Sequence, residues 1–400
     1  MSPVRPALAP RLAQRVDARR QTGLLRQHHP LQWLDATHAV VEGQSLSVFC
    51  SNDYLGLARE PALIDAIARS ARRDGVGSTA SPLICGHHHE HAALEEELAE
   101  WTGRERALLF STGYMANLGV IQALLQRGDL CVQDKLNHAS LLDGAQLAGA
   151  TLKRYPHADA DGAARQLASQ PDAAALLVSD GVFSMDGDIA PLAELAALGH
   201  AQRALLLIDD AHGLGVLGPR GAGSVAEAGL DQTHVPLLVG TLGKALGTAG
   251  AFVAGSADVI DGLAQFARTH IYTTAAPPPL AAATRAALRI ARDDASRRER
   301  LMALIARFRH GAAQLGLPLL ASRTPIQPLL LGSVHAASDA ASALRQRGFL
   351  VSAIRPPTVP VGQARLRITL SAAHSEAQVD QLLQALNDSL IPIAQRPRQT

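Results

Sequence analysis

The feature that most restricts this chain is a recurring pair. A short apolar run ends in small or polar residues, and about a dozen residues of helical character follow. Ala107–Phe110, Leu130–Val132, Ala173–Val178, Ala204–Ile208 and Val235–Val239 are such runs. Apolar strands joined by helices can only lie parallel and be covered on both faces, so the expected class is α/β with a mainly parallel central sheet. Sheets of that kind bind ligands beyond the carboxyl ends of their strands. The residues that follow each run are therefore the candidates for chemistry.

Val235–Val239 leads into Gly-Thr-Leu-Gly-Lys-Ala-Leu-Gly, a stretch poorly suited to helix or strand, which puts Lys244 on a loop just past a strand end. Glycines at 243, 247 and 250 let a flat ligand approach the backbone. Taken alone, Lys244 reads as a solvated surface lysine. Ala204–Ile208 changes that reading, because it runs into Asp209-Asp210-Ala-His212. A carboxylate at one strand end and a lysine beyond another are what pyridoxal phosphate requires. The acid keeps the pyridine nitrogen protonated and the amine forms a Schiff base. A helix cap or a metal-binding carboxylate pair is the competing reading of Asp209-Asp210.

Other strand ends supply further candidates. Leu46–Leu57 is a short strand entering a turn with Asn52, Asp53 and Tyr54, which suits a site edge or a plain Asn-Asp turn. Ser111-Thr-Gly113-Tyr114 opens a helix running through Leu125, whose first amides can hold a phosphate, with Ser111 or Thr112 as cap. Asn137-His138 starts another helix after a strand ending at Asp134. His87–His91 holds four histidines but no His-Glu-x-x-His spacing and runs into a helix from Ala92 to Trp101, so no metal is expected. Alternation along Arg365–Leu370 sets Arg365 and Arg367 on one face, fit for a substrate carboxylate or for surface ion pairs.

Four hundred residues at 47% hydrophobic can fill a large core and support two domains. The breaks suggest an N-terminal helix and strand segment at 1–50, a large cofactor domain at 51–279, and a small C-terminal α+β domain at 280–400, the last boundary marked by Tyr272–Pro279. In the first segment, the spacing of Leu12, Val16 and Leu24 favours an amphipathic helix, closed by Arg26, over a transit peptide. After Ala251–Val253 a helix is expected through Arg268, and Phe349–Ile354 reads as one strand. A net charge of +1 argues against nucleic acid as partner. Cys50, Cys85 and Cys131 lack metal spacing, which points to a reducing, cytoplasmic setting, and no apolar run is long enough for a membrane span.

Six motifs in order, Ser51–Leu57, Asn137–Ser140, Gly181–Gly187, Asp209–Gly213, Thr241–Lys244 and Arg365–Arg367, resemble the α-oxoamine synthases. These are homodimeric pyridoxal phosphate enzymes of the aspartate-aminotransferase fold that condense an amino acid with an acyl thioester. Ile354–Pro360 and Gly362–His374 look most like the branch using L-alanine and a pimeloyl thioester, carried by CoA or a carrier protein, with glycine and acetyl-CoA as the alternative pair.

The resemblance implies Lys244 as the Schiff-base lysine, Asp209 as partner of the pyridine nitrogen and His138 stacked on the ring. It also implies Ser184 and His212 near the phenolic oxygen, and Thr241 with the Gly113 and Tyr114 amides at the phosphate. Thr273 or Thr274 would reach the neighbouring subunit's phosphate across a dimer interface. Arg367, helped by Asn52, would clamp the amino-acid carboxylate, with Arg26, Thr358 and Arg355 toward the acyl substrate. The family usually carries Glu where this chain has Asp180. A nucleotide-dependent oxidoreductase lacks support, since no Gly-x-Gly-x-x-Gly opens a helix after an early strand. A non-catalytic homologue would be expected to have lost Lys244 or Asp209, and both are present.

Overall fold

The computed structural model describes residue 5 and residues 7–394. In chain order, α1 (Leu8–Gln21) precedes β1 (Leu31–Trp33), β2 (His38–Val41), β3 (Gln44–Val48), α2 (Pro61–Asp74) and α3 (His89–Thr102). Then come β4 (Arg106–Phe110), α4 (Gly113–Leu124), β5 (Leu130–Asp134), α5 (Ala139–Ala148), β6 (Thr151–Tyr155) and α6 (Ala160–Ala168). β7 (Ala175–Asp180), α7 (Leu192–Ala201), β8 (Leu205–Asp209), α8 (Ser224–Glu227), β9 (Leu237–Thr241) and β10 (Ala251–Gly255) follow. The remainder is α9 (Ala257–Phe266), α10 (Arg268–Ile271), α11 (Pro278–Asp293), α12 (Ala295–Gln314), β11 (Ile326–Gly332), α13 (Val334–Gln346), β12 (Phe349–Leu350), β13 (Ser352–Ile354), β14 (Ala364–Thr369) and α14 (Glu376–Ala394).

The five predicted apolar runs, joined by β6 and β10, form one seven-stranded sheet in the order β4-β10-β9-β8-β7-β5-β6. Its centre is buried on both sides, which is why β7, β8 and β9 read as nearly unbroken Leu, Val and Ile. One apolar layer joins the sheet to α4, α5 and α9, and another joins it to α6 and α7. A larger layer carries α3, α11, α12, α13 and α14. The α/β class with a mainly parallel sheet is borne out, with one exception. β10 runs antiparallel to both β4 and β9, because the turn through the Lys244 stretch is too short for a helical crossover.

Three other expectations change. Phe349–Ile354 is not one strand: β12 pairs parallel with β3, and β13 pairs with β14 in another sheet. The helix expected through Arg268 stops at Phe266, and a separate turn begins at Arg268. α1 ends at Gln21, with Thr22 and Gly23 bonded back onto its last turn, so Leu24 lies off its face and Arg26 does not close it. That helix buries no residue of its own; Leu8 and Leu12 are exposed. No described helix is long and apolar enough to cross a membrane.

Candidate active site

Asp209 ends β8 directly beside Asp180, which ends β7, and it pairs with Val239 of β9. Two residues past Val239 stands Thr241, and the chain then turns through Lys244. Gly247 makes this turn possible: its φ is +65° and a Cβ there would sit 2.4 Å from the Ala58 amide. Lys244 Nζ donates to Thr241 Oγ1 over 3.3 Å.

A cleft of about 170 Å³ gathers Lys244, Asp209, His138, Ser184, His212, Thr241, Gly113 and Tyr114, all eight of them expected from the sequence. Asn117, Asp180, Val182 and Ala211 complete its wall. Nothing local marks Asn117, because its partner lies far away in the chain. Asn117 Nδ2 donates 2.7 Å to Asp209 Oδ2, and the Ala211 amide donates 3.1 Å to Asp209 Oδ1. The two donors, one on each oxygen, fix the orientation of this buried carboxylate.

At the start of α4, Thr112 caps the Met115 amide over 3.1 Å, which leaves the amides of Gly113 and Tyr114, two residues lining the cleft, without an intrahelical acceptor. Gly113 also keeps the entrance open, since a Cβ there would lie 2.7 Å from Thr241 Cγ2. His138 caps α5, its Nδ1 within 3.3 Å of the Ser140 amide.

Burial pushes the Lys244 amine below its usual value; Asp209 and Asp180 pull the other way and Arg367 adds to the depression. His212, also buried, is held well below the ordinary histidine value by loss of water and then by Lys244 and Arg367. Asp210 faces away from the cleft. It accepts the Ser224 amide and hydroxyl, each at 2.7 Å, and burial raises it to about 7. Of the two adjacent acids, only Asp209 serves the cleft.

Arg367 and Asn52 meet as expected: both terminal nitrogens of Arg367 donate to Asn52 Oδ1 over 3.2 Å, and its Nε donates 2.6 Å to the Ser184 carbonyl. Tyr54, read as part of a site edge or a plain turn, joins Asn52 to His212 at 3.2 and 2.6 Å. Arg365 shares the face but not the role, because it is buried in an ion pair with Asp186 at 2.5 Å.

A second groove, about 810 Å³, runs past Arg26, Arg355 and Thr358 to Ser352, whose strand partner is Arg367. Arg26 Nη2 donates 3.1 Å to Thr358 Oγ1 and Arg355 Nη1 donates 2.6 Å to the Gly23 carbonyl. Another groove, lined by His200, Arg203 and His234 at the amino ends of β8 and β9, holds none of the expected site residues. Thr273 and Thr274 lie between α10 and α11, outside the cleft.

In the histidine cluster, His91 binds the Ala276 carbonyl at 2.7 Å. Among the described residues, Asp74, His88 and His89 bring possible ligand atoms within 4.8 Å of one another. Arg73 already bonds Asp74 at 2.7 Å and His89 at 3.1 Å, so a guanidinium supplies the positive charge there.

The model of the family described as aminotransferase class I and II matches residues 45–386. The chain belongs to that family. Among class I and II relatives, the 8-amino-7-oxononanoate synthase of Alkalilimnicola ehrlichii is 57% identical over 96% of this chain and 98% of its own. That of Methylococcus capsulatus is 60% identical over 88% and 92%. A serine palmitoyltransferase from S. paucimobilis with a bound PLP–myriocin aldimine superposes with a TM-score of 0.92 at 29% identity, covering 98% of this chain and 100% of that one. The crystal structure of 8-amino-7-oxononanoate synthase from Francisella tularensis gives 0.76 at 31% identity, over 87% and 99%. The aspartate-aminotransferase-like fold expected from the motifs is thereby borne out.

Proposed function

We propose that this chain condenses L-alanine with a pimeloyl thioester, releasing carbon dioxide and thiol, to form 8-amino-7-oxononanoate for biotin synthesis, with pyridoxal phosphate as cofactor. The observation that carries this reading is the meeting of Lys244 and Asp209 in one cleft. The names of relatives at 57% and 60% identity support the product, and the resemblance of Ile354–Pro360 and Gly362–His374 points to the substrates.

The residues fit the cofactor by their chemistry: an amine of lowered basicity, a carboxylate that accepts two hydrogen bonds, and helix-start amides for a phosphate. Bound there, pyridoxal phosphate supplies an electron sink for the pair left on the amino acid's α-carbon. Asp209 would keep the proton on the pyridine nitrogen. Lys244, its basicity lowered by burial, takes the α-proton of alanine and later returns one to the same carbon. His138 would lie against the ring, while Ser184 and His212 would serve its phenolic oxygen. Gly113, Tyr114 and Thr241 would hold the phosphate.

Arg367 presents a planar fork to the alanine carboxylate, its orientation fixed by Asn52 and the Ser184 carbonyl. Arg26, Thr358 and Arg355 receive the acyl substrate along the larger groove. The working form is a cytoplasmic homodimer with sites at the interface, where Thr273 or Thr274 completes the phosphate site of the other copy. The test is thiol release from alanine, glycine and serine, each paired with pimeloyl and acetyl thioesters on CoA and on a carrier protein. Fastest release with alanine and pimeloyl is expected. Preference for glycine and acetyl-CoA would replace this reading with glycine C-acetyltransferase.

A further inference from the structure

Two acids stand side by side on the cleft floor. β7 and β8 run parallel and pair Asp180 with Asp209, so their backbones lie about 4.8 Å apart and both side chains rise on one face. Asp180 is 4% exposed and Asp209 7%. Two ionised carboxylates this close in a dry site repel strongly, and one retains its proton unless donors or cations hold both.

The donors are unequally divided. Asp209 has the Asn117 amide at 2.7 Å and the Ala211 amide at 3.1 Å, one on each oxygen. Asp180 has only the His138 backbone amide, shared between its oxygens at 3.2 and 3.4 Å. Asp209 is therefore the better served of the two acids, and Asp180 is left with one weak donor for four lone-pair positions.

We propose that Asp180 is the proton-bearing member of this pair: an un-ionised carboxylic acid that accepts the His138 amide and directs its own O–H into the cleft. A single negative charge then remains on the floor, at Asp209. Asp180 also acts as a positioning residue, anchoring the backbone from which the His138 ring projects. The groups facing it agree with this. Burial and then the charge of Asp209 push its carboxyl well above the ordinary range, Asp134 of β5 adds to the push, and the His138 amide and Lys244 oppose it.

The positioning role rests on the reading given under Proposed function; the protonation state does not. Infrared difference spectra of cofactor-free protein at neutral pH, in water and deuterium oxide, test the latter. Asp180→Asn should remove a carboxylic-acid C=O band sensitive to deuterium, distinct from any band removed by Asp210→Asn. A spectrum that keeps every such band overturns the proposal.

In cofactor-loaded protein, Asp180→Ala should weaken amino-acid affinity about tenfold by freeing His138, and Asp180→Asn should recover most of that loss. Equal impairment in both variants sinks the positioning role. The pH midpoint of the cofactor absorbance should move less than about half a unit in Asp180→Asn, whereas loss of a neighbouring anion would move it roughly one to three units. Protein that shows the infrared band yet never takes up cofactor would reject the proposed function and leave the proton on Asp180.

Discussion

Asn117 gives the sharpest energetic prediction. It is 1% exposed, its Nδ2 serves Asp209 at 2.7 Å and Ser140 Oγ at 2.9 Å, and its Oδ1 has no partner. A buried side chain whose oxygen goes unpaired is kept for its donor. Replacing it by Leu keeps the volume and deletes a hydrogen bond to a buried carboxylate, worth about 1.5–3 kcal/mol. At 1.4 kcal/mol per tenfold, the loss is roughly 10- to 100-fold. It should appear in α-proton exchange of L-alanine into deuterium oxide, followed by NMR without acyl substrate, because that step depends most on Asp209. Ser140→Ala breaks neutral bonds only, to Asn117 Nδ2 at 2.9 Å and to His138 Nδ1 at 2.7 Å, each worth about 0.5–1.5 kcal/mol, and leaves the Asp209 bond in place. Exchange rates within twofold of the wild type in Asn117→Leu would refute the idea that Asn117 holds the Asp209 charge.

Two further outcomes are expected. Arg367→Lys keeps a charge but loses the fork, so the KM for alanine should rise about 10- to 100-fold while that for the thioester stays put; parallel rises in both would assign Arg367 to general packing. His374, stacked on Phe49 at 4.1 Å and bonded to the Val48 carbonyl, is lowered by burial to about 4 from 6.5. Because the folded state resists a proton that the unfolded chain accepts, stability is complete above pH 6.5 and falls as pH drops toward 4, by about 3 kcal/mol in all. Urea denaturation of His374→Gln across that range should show a shallower acid slope, and an unchanged slope would place the sensitivity elsewhere.

The sheet and the chemistry at its edge were legible because both are local. A strand buried on two faces is continuously apolar, and the site residues follow within a few positions of its end, as Asp209 and Lys244 do. What escaped was non-local. The bond from Asn117 to Asp209 and that from Tyr54 to His212 join distant parts of the chain. β6 and α6 left little apolar signal, since β6 pairs only with β5 at the sheet edge and carries Lys153 and Arg154. Alternation correctly grouped Arg365 with Arg367, yet only Asp186, on another strand's loop, decides that Arg365 is spent on an ion pair. α1 shows the reverse failure: its spacing of apolar residues is helical, but no described residue covers that face.

The most direct measurement uses the scarcity of lysine in this chain, which has only Lys135, Lys153 and Lys244. Protein saturated with pyridoxal phosphate is reduced with borohydride, digested, and its peptides are weighed. A pyridoxyl group on the peptide carrying Lys244, absent in Lys244→Ala, is the expected result. Label on Lys135 or Lys153 instead, or none at all from a protein that still releases thiol, would contradict the assignment on which the proposed chemistry stands.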